Sequence, residues 1–324
     1  MVNSKRIKGN RLETVLITGG CGFIGVNLVK YLAERGYKVK ILDNLSIGRE
    51  ENLLKLRNQG YRFLPGDLII GDIRNREVVG QAVEGMAAVV HLAAHTNVTD
   101  SLENPEVNWD INTKGTFNVM EACRKNGVEK FIFASSNAAV GEQTPPIDEL
   151  KVPKPLSPYG ASKLAGEALC NCYYHSFGLK TVSLRFANCY GTYSNHKTSV
   201  VSRFVRWASE EKPIIIYGSG NQTRDFIHVD DVCRAIHLSI VAEDLASGEI
   251  FQVATGTETT ISKLAEMVGK VTEKNLKVIY KPARKAEITR NYSDISKARE
   301  ILCFQQSIDL EEGLSRLWHD YVPT

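Results

Sequence analysis

Tyr159-Gly160-Ala161-Ser162-Lys163 carries the side chains best suited to chemistry in this 324-residue sequence. A tyrosine and a lysine at i and i+4 fall one above the other on the same face of a helix. A neighbouring ammonium stabilises the phenolate, so Tyr159 could act as a general base near neutral pH. The same spacing also occurs in helices as a plain surface pair. Ser135-Ser136 follows the strand-like run at 130–134 and offers a hydroxyl partner. Its structural alternative is a helix cap.

These side chains need elements to place them. Val15-Leu16-Ile17-Thr18 reads as a strand and 26–35 as a helix, with Gly19, Gly22 and Gly25 between them in G-x-x-G-x-x-G spacing. Such a turn, which here also contains Phe23 and Ile24, brings backbone close to a pyrophosphate at a helix N-terminus. The strand at 39–42 ends in Asp43-Asn44, the place for an acidic residue that binds ribose hydroxyls. A carboxylate there repels a 2′-phosphate, which favours NAD over NADP. The plainer alternative is a glycine-rich turn without a ligand.

Residues 61–64 read as the third strand, and Asp72-Ile73 as a loop that meets the adenine. The run at 87–94 has the continuous apolar character of a strand buried on both faces. It ends in Leu92-Ala93-Ala94, small enough at its tip for a cofactor to lie close. His91 and His95 raise a metal site, but no nearby residue completes a ligand set, so no metal is expected. Residues 108–125 read as one long helix. Strands alternating with helices predict an α/β fold, a parallel sheet wound on both faces with ligands at the carboxyl ends of its strands.

Composition narrows the remaining classes. The formal net charge is only +3, so the basic residues Lys5, Arg6, Lys8 and Arg11 read as a solvated tail, and no nucleic-acid partner is expected. No apolar run approaches a membrane span, and the N-terminus lacks the apolar region of a secretory signal. Seven cysteines without C-x-x-C spacing suggest reduced thiols and a cytoplasmic protein.

Taken in order, the glycine turn, Asp43, Asp72-Ile73, His91-Leu92-Ala93-Ala94, Ser135-Ser136, Tyr159 with Lys163, and Arg185-Phe186-Ala187-Asn188-Cys189-Tyr190-Gly191 resemble the extended short-chain dehydrogenase/reductase family. Within it the chain is most similar to nucleotide-sugar 4-epimerases of the UDP-glucose 4-epimerase type, from about Glu13 to about Trp318. The resemblance implies a Rossmann-like doubly wound parallel sheet over residues 1–187, with a segment near 225–255 returning to it. It implies a smaller C-terminal domain, 188–324, for the sugar nucleotide. NAD would be held by Gly19, Gly22, Phe23, Ile24, Gly25, Asp43, Asn44, Asp72, Ile73, Leu92, Ala93, Ala94, Asn112, Tyr159 and Lys163. Ser136, Tyr159 and Lys163 would be catalytic. Ser136, Asn188, Arg224, Arg284, Glu287 and Asn291 would bind a nucleotide sugar, UDP-linked by the same resemblance, with the arginine forks suited to its diphosphate. A homodimer is implied, pairing the helix at 108–125 and the Tyr159 helix through Ala165, Ala168, Leu169 and Tyr173.

The expected reaction is inversion at C4 of a UDP-glucose/UDP-galactose or N-acetylhexosamine pair through a transient 4-keto sugar. Departures from the family pattern bear on it. Asn137-Ala138 stand where related dehydratases carry an Asp-Glu pair and decarboxylases a Glu. Val140 replaces a common tyrosine, and Thr96 the epimerase-type lysine. Thr192-Tyr193-Ser194-Asn195-His196-Lys197 lacks the arginine-rich run of uronate 4-epimerases. Asn291 occupies the position of a bulky tyrosine in glucose-restricted relatives, which leaves room for an N-acetyl group unless Tyr292 fills the gap. The alternatives are a dehydratase, a 4-ketoreductase, a 3,5-epimerase, or a non-catalytic NAD-binding protein on the same fold.

Overall fold

The computed structural model describes residues 14–61, 66–283 and 288–322. It opens with β1 (Thr14–Thr18), α1 (Phe23–Ala33), β2 (Lys38–Asp43), α2 (Glu50–Asn58), β3 (Leu68–Ile70), α3 (Arg76–Val83) and β4 (Ala88–His91). Two short helices, α4 (Val98–Glu103) and α5 (Pro105–Trp109), run through a π turn at Asp110–Lys114 into α6 (Gly115–Lys125). Next come β5 (Lys130–Ser136), the long α7 (Pro158–Phe177) and β6 (Lys180–Phe186). The rest comprises β7 (Asn188–Tyr190), α8 (Val200–Ser209), β8 (Ile214–Tyr217), β9 (Thr223–Arg224), β10 (Phe226–His228) and α9 (Val229–Val241). It ends with β11 (Ile250–Val253), β12 (Thr259–Thr260), α10 (Ile261–Thr272), β13 (Val278–Lys281), α11 (Ser296–Leu302) and α12 (Leu310–Tyr321).

Seven strands form a single sheet in the order β11-β6-β5-β4-β1-β2-β3, and every pairing in it is parallel. Alternation along each strand sends side chains to two helical layers. Leu16, Val89, Phe131 and Phe133 face one core, while Val15, Ile17, Val90 and Ile132 face the other. The strand order reverses direction between β1 and β4, which opens a crevice at their carboxyl ends. A third core joins α8, β8, α10 and α12 through Phe204, Ile214, Leu264 and Leu317.

Three expectations change. Tyr61 lies outside any strand, residues 62–64 fall outside the described residues, and the third strand is instead Leu68–Ile70. The helix expected at 108–125 begins at Pro105 and contains the π turn. Tyr173 is buried against the core and donates its hydroxyl to Glu121 at 3.0 Å, so it cannot serve an exposed apolar face; Ala168 and Phe177 are among the exposed residues of that helix.

Candidate active site

The α7 helix begins where its sequence says it should. Ser157 caps it by accepting from the Gly160 N–H at 3.1 Å, Pro158 occupies its first turn, and Gly178 closes it with a φ of 72°. Two glycines let it lie flat on the sheet. A Cβ on Gly160 would stand 2.3 Å from the Ala138 carbonyl oxygen, and one on Gly166 would stand 2.2 Å from Cζ of Phe133. That contact brings Tyr159 and Lys163 to the end of β5, where Ser136 emerges.

Ser136 lies near enough to the Tyr159 phenol to favour its ionised form, and it accepts from the Ala138 N–H at 3.2 Å. Lys163 is buried, donates to the Ala134 carbonyl at 2.8 Å, and sits 5.9 Å from the centre of the Tyr159 ring. Burial pulls its pKa down to about 8, while the nearby Glu167 carboxylate pushes the other way. The phenol is not lowered as the spacing suggested. Burial raises the Tyr159 pKa, nearby Ser136 opposes that, and the ammonium is directed at the Ala134 carbonyl.

Beneath this trio lies an ion pair that the sequence did not announce. Arg185 donates to both oxygens of Glu167 at 2.8 Å, and Ser135 donates to the same carboxylate at 2.5 Å. Both charged side chains are buried. The pair ties α7 to β5 and β6, and removing one partner would strand a buried charge. Asn112, expected at the cofactor, spends its amide elsewhere. It accepts from the His95 N–H at 2.7 Å and donates to the His95 carbonyl and to Ser162, each at 3.0 Å. It braces the loop after β4 against α7.

The glycine turn sits at the crevice. A Cβ on Gly19 would meet the Ala93 backbone nitrogen at 2.7 Å, and one on Gly25 would meet the Gly19 carbonyl oxygen at 2.3 Å. Only glycine permits this packing, and Gly19 adopts a φ of 72°. Gly22, Phe23 and Ile24 carry the turn into α1, whose N-terminus has no capping side chain and no acidic residue in its first turn. Leu92 and Ala93 are fixed to Thr18, their N–H groups donating to its carbonyl at 3.0 Å and its hydroxyl at 3.3 Å; Ala94 continues that loop. Asp43 ends β2, its buried carboxylate accepting from the Cys21 and Leu45 N–H groups at 2.9 and 2.8 Å. Asn44 donates to Asp72 at 2.9 Å, and the Arg74 guanidinium holds the Asp72 carboxyl down to about 2. Ile73 is buried beside it. An uncapped helix start, a turn without room for a Cβ and an acidic side chain at the end of β2 suit a dinucleotide diphosphate and its ribose.

His91 is enclosed between Thr18 at 2.7 Å and Thr116 at 2.9 Å, and burial lowers its pKa to about 3. It is a neutral packing residue. His95 pairs with Asp100.

Asn188, Arg224 and the segment of Asn291 gather around Asp225, which the sequence reading passed over. Buried Asp225 accepts from the N–H groups of Thr255, Gly256 and Ser293 and from the Thr255 hydroxyl. Asn188 is exposed and donates to the Asp225 carbonyl at 3.2 Å. Arg224 donates to the carbonyls of Thr223 at 2.7 Å and Ile288 at 2.8 Å. Asn291 is buried, and its carbonyl oxygen has no partner among the described residues. Two residues on, Ser293 accepts from Asn137, the residue after Ser136, at 3.0 Å, so the Asn291 segment reaches the catalytic trio. Arg284 and Glu287 lie outside the described residues. An acidic residue inside the run Thr223-Arg224-Asp225-Phe226, followed by buried apolar positions, was the signal for Asp225.

None of the seven cysteines is paired, and among the described residues no helix is long and apolar enough to cross a membrane.

The profile of the NAD dependent epimerase/dehydratase family matches residues 15–254. A UDP-glucuronate 4-epimerase of Thermodesulfobacterium geofontis is 35% identical over 311 residues, 93% of this chain and 94% of the relative. A solved UDP-N-acetylglucosamine 4-epimerase from Methanobrevibacter ruminantium M1, in complex with UDP-N-acetylmuramic acid, shares 31% identity at a TM-score of 0.88, covering 96% of this chain and 98% of its own. The UDP-glucose 4-epimerase of Thermus thermophilus, solved with NAD, gives 31% and 0.85 over 96% of this chain and 99% of its own. With its parallel Rossmann-like sheet and its tyrosine–lysine helix, the chain belongs to the NAD-dependent epimerase/dehydratase family.

Proposed function

We propose that the chain is a 4-epimerase of a nucleotide-activated hexose. The observation that carries this reading is the composition of the site around Tyr159. Ser136, Tyr159 and Lys163 come together, while Asn137 and Ala138 bring no carboxylate beside them. Loss of water from C6 needs an acid and a base beyond Tyr159; inversion at C4 does not.

Tyr159 takes the proton from the sugar 4-hydroxyl as that oxygen becomes a carbonyl, and returns it afterwards. Ser136 hydrogen-bonds the same oxygen. Lys163 holds positive charge one helical turn away, its ammonium 5.0 Å from the centre of the Phe133 ring. Bound NAD supplies the acceptor that takes the C4 hydrogen with its electron pair and gives it back. Gly19, Gly22, Phe23, Ile24, Gly25, Asp43 and the loop 92–94 hold and orient it. Arg224 and Asn188, with Arg284 and Glu287, are assigned to the substrate's nucleotide diphosphate, and the 4-keto sugar turns over while that end stays anchored. We read residues 1–187, with 225–255, as the cofactor unit and 188–324 as the substrate unit.

The sugar is read as one that tolerates an N-acetyl group at C2. The side-chain oxygen of Asn291 is buried without a partner among the described residues, two positions from the Ser293 that meets Asn137, and an acetamido N–H would satisfy it. The neighbouring Arg290 is engaged by both oxygens of Glu258 at 2.7 Å. A panel of UDP- and TDP-sugars with product analysis tests both levels. Interconversion of UDP-N-acetylglucosamine and its 4-epimer at a kcat/KM equal to or above that for UDP-glucose supports the reading. No turnover of the N-acetyl sugar sinks the finer part, and no epimer from any sugar sinks the whole.

A further inference from the structure

Lys197 is a cation beside the crevice that the reaction described above does not use. It lies in the loop between β7 and α8, is half-buried, and its ammonium has no carboxylate or hydrogen-bond acceptor among the described residues. Its nitrogen is 5.1 Å from the centre of the Phe23 ring, the first residue of α1. Burial holds its pKa below the usual lysine value. The loop is fastened where it is. Asn27 of α1 donates to the Thr192 carbonyl at 2.9 Å, Arg206 donates to the Asn195 carbonyl at 3.0 Å, and the Lys197 N–H donates to the Ser194 carbonyl at 2.8 Å.

A partly buried ammonium without a counter-charge is unfavourable, and a site that keeps one suits an anion that arrives from outside. The anion's place is marked independently by the glycine turn and the uncapped start of α1. The loop after β4, on the other side of that turn, offers His95-Thr96 and no lysine or arginine. We propose that Lys197 reaches across from the β7–α8 loop to pair with the diphosphate of the bound dinucleotide, closing over the glycine turn from the substrate side of the crevice. The ring of Phe23 holds the ammonium in place through its face. The inference rests on the family's dinucleotide chemistry and not on which sugar is turned over.

The test uses the full-length protein stripped of nucleotide, with binding followed by calorimetry. Lys197→Met should weaken ADP-ribose and NAD by at least tenfold, in line with the loss of a hydrogen bond between charged groups. Adenosine, which lacks the diphosphate, and UDP, which reports on the substrate site, should change by less than about twofold. Lys197→Arg should restore most of the affinity for ADP-ribose, and Lys197→Gln serves if the methionine variant does not fold. The proposal is overturned if NAD and ADP-ribose bind the variants as they bind the wild type. It is equally overturned if UDP weakens while ADP-ribose does not, which would give Lys197 to the substrate's diphosphate.

Discussion

Gly166 lies one turn beyond Lys163 in α7, and replacing it with alanine tests how the helix positions the chemistry. The new Cβ would stand 2.2 Å from Cζ of Phe133, where ordinary contact begins at 3.4 Å, so helix or ring must yield by about 1 Å. Phe133 cannot swing aside freely, since it is buried in β5 and stacked on His91 at 6.1 Å. Overpacking of this kind costs ~1–3 kcal/mol, against a gain of about 1 kcal/mol for alanine over glycine within a helix. The net loss of stability is therefore up to ~2 kcal/mol. The larger effect falls on turnover, because Tyr159 rides on the displaced helix while Ser136 stays on β5. A displacement near 1 Å between reacting groups costs on the order of 10²-fold in rate. Urea unfolding and steady-state kinetics should show kcat down by about that factor with only modest destabilisation. Gly80→Ala in α3 is the control: its Cβ meets nothing within 4 Å, so it should stabilise by about 1 kcal/mol and leave kcat alone. Wild-type stability and kcat in Gly166→Ala would refute the claim that this contact sets the Tyr159–Ser136 geometry.

Tyr159→Phe removes the proton-transferring atom and little packing, so kcat should drop by ~10²–10⁴ while NAD content of the purified protein holds. Lys163→Ala should lose both turnover and NAD; near-normal kcat in the tyrosine variant would mean that another base is in use. His91 should mark acid stability. Its folded pKa of about 3 lies below the ordinary 6.5, so the unfolded chain binds the extra proton between these values. Stability is then complete above pH 6.5 and falls as pH drops toward 3, by about 1.4 kcal/mol per pH unit within that window. His91→Gln should flatten the slope by one proton in urea titrations at successive pH, and an unchanged slope would contradict the assignment. A homodimer is expected through the helix at 108–125 and the Tyr159 helix, whose Ala168 and Phe177 are exposed; a monomer by light scattering at micromolar concentration would remove that expectation.

Much of the scaffold could be read from the chain because its signals are local. β1, β4 and β5 each hold an unbroken apolar run and β2 one interrupted only by Lys40, and the glycine turn and the tyrosine–lysine spacing each depend on residues a few positions apart. β3 was misplaced because it is a three-residue edge strand whose last residue, Ile70, is 64% exposed, so little burial marks it in sequence. The π turn at Asp110–Lys114 depends on hydrogen-bond register, which residue types do not reveal. Arg185 and Glu167 lie on different elements, and their pairing follows only from the register of β5 with β6 and the seating of α7. The same holds for Asp225, whose partners come from 255, 256 and 293. Asn112 shows the reverse case: a residue type suited to the cofactor is consumed by the loop it supports. Carrying over a family pattern could not foresee that burial raises Tyr159, because the sign depends on how the phenol and ammonium are packed.

The central claim is that no acid or base beyond Tyr159 acts on the sugar's carbon skeleton, and the fate of hydrogen in D₂O tests it most directly. Turnover of the preferred sugar nucleotide should yield its 4-epimer at unchanged mass, with no deuterium on any carbon and no net change in the cofactor's redox state. Solvent deuterium at C5 or C6, or a product lighter by one water, would contradict the account and point to a carboxylate reaching the sugar from elsewhere in the fold.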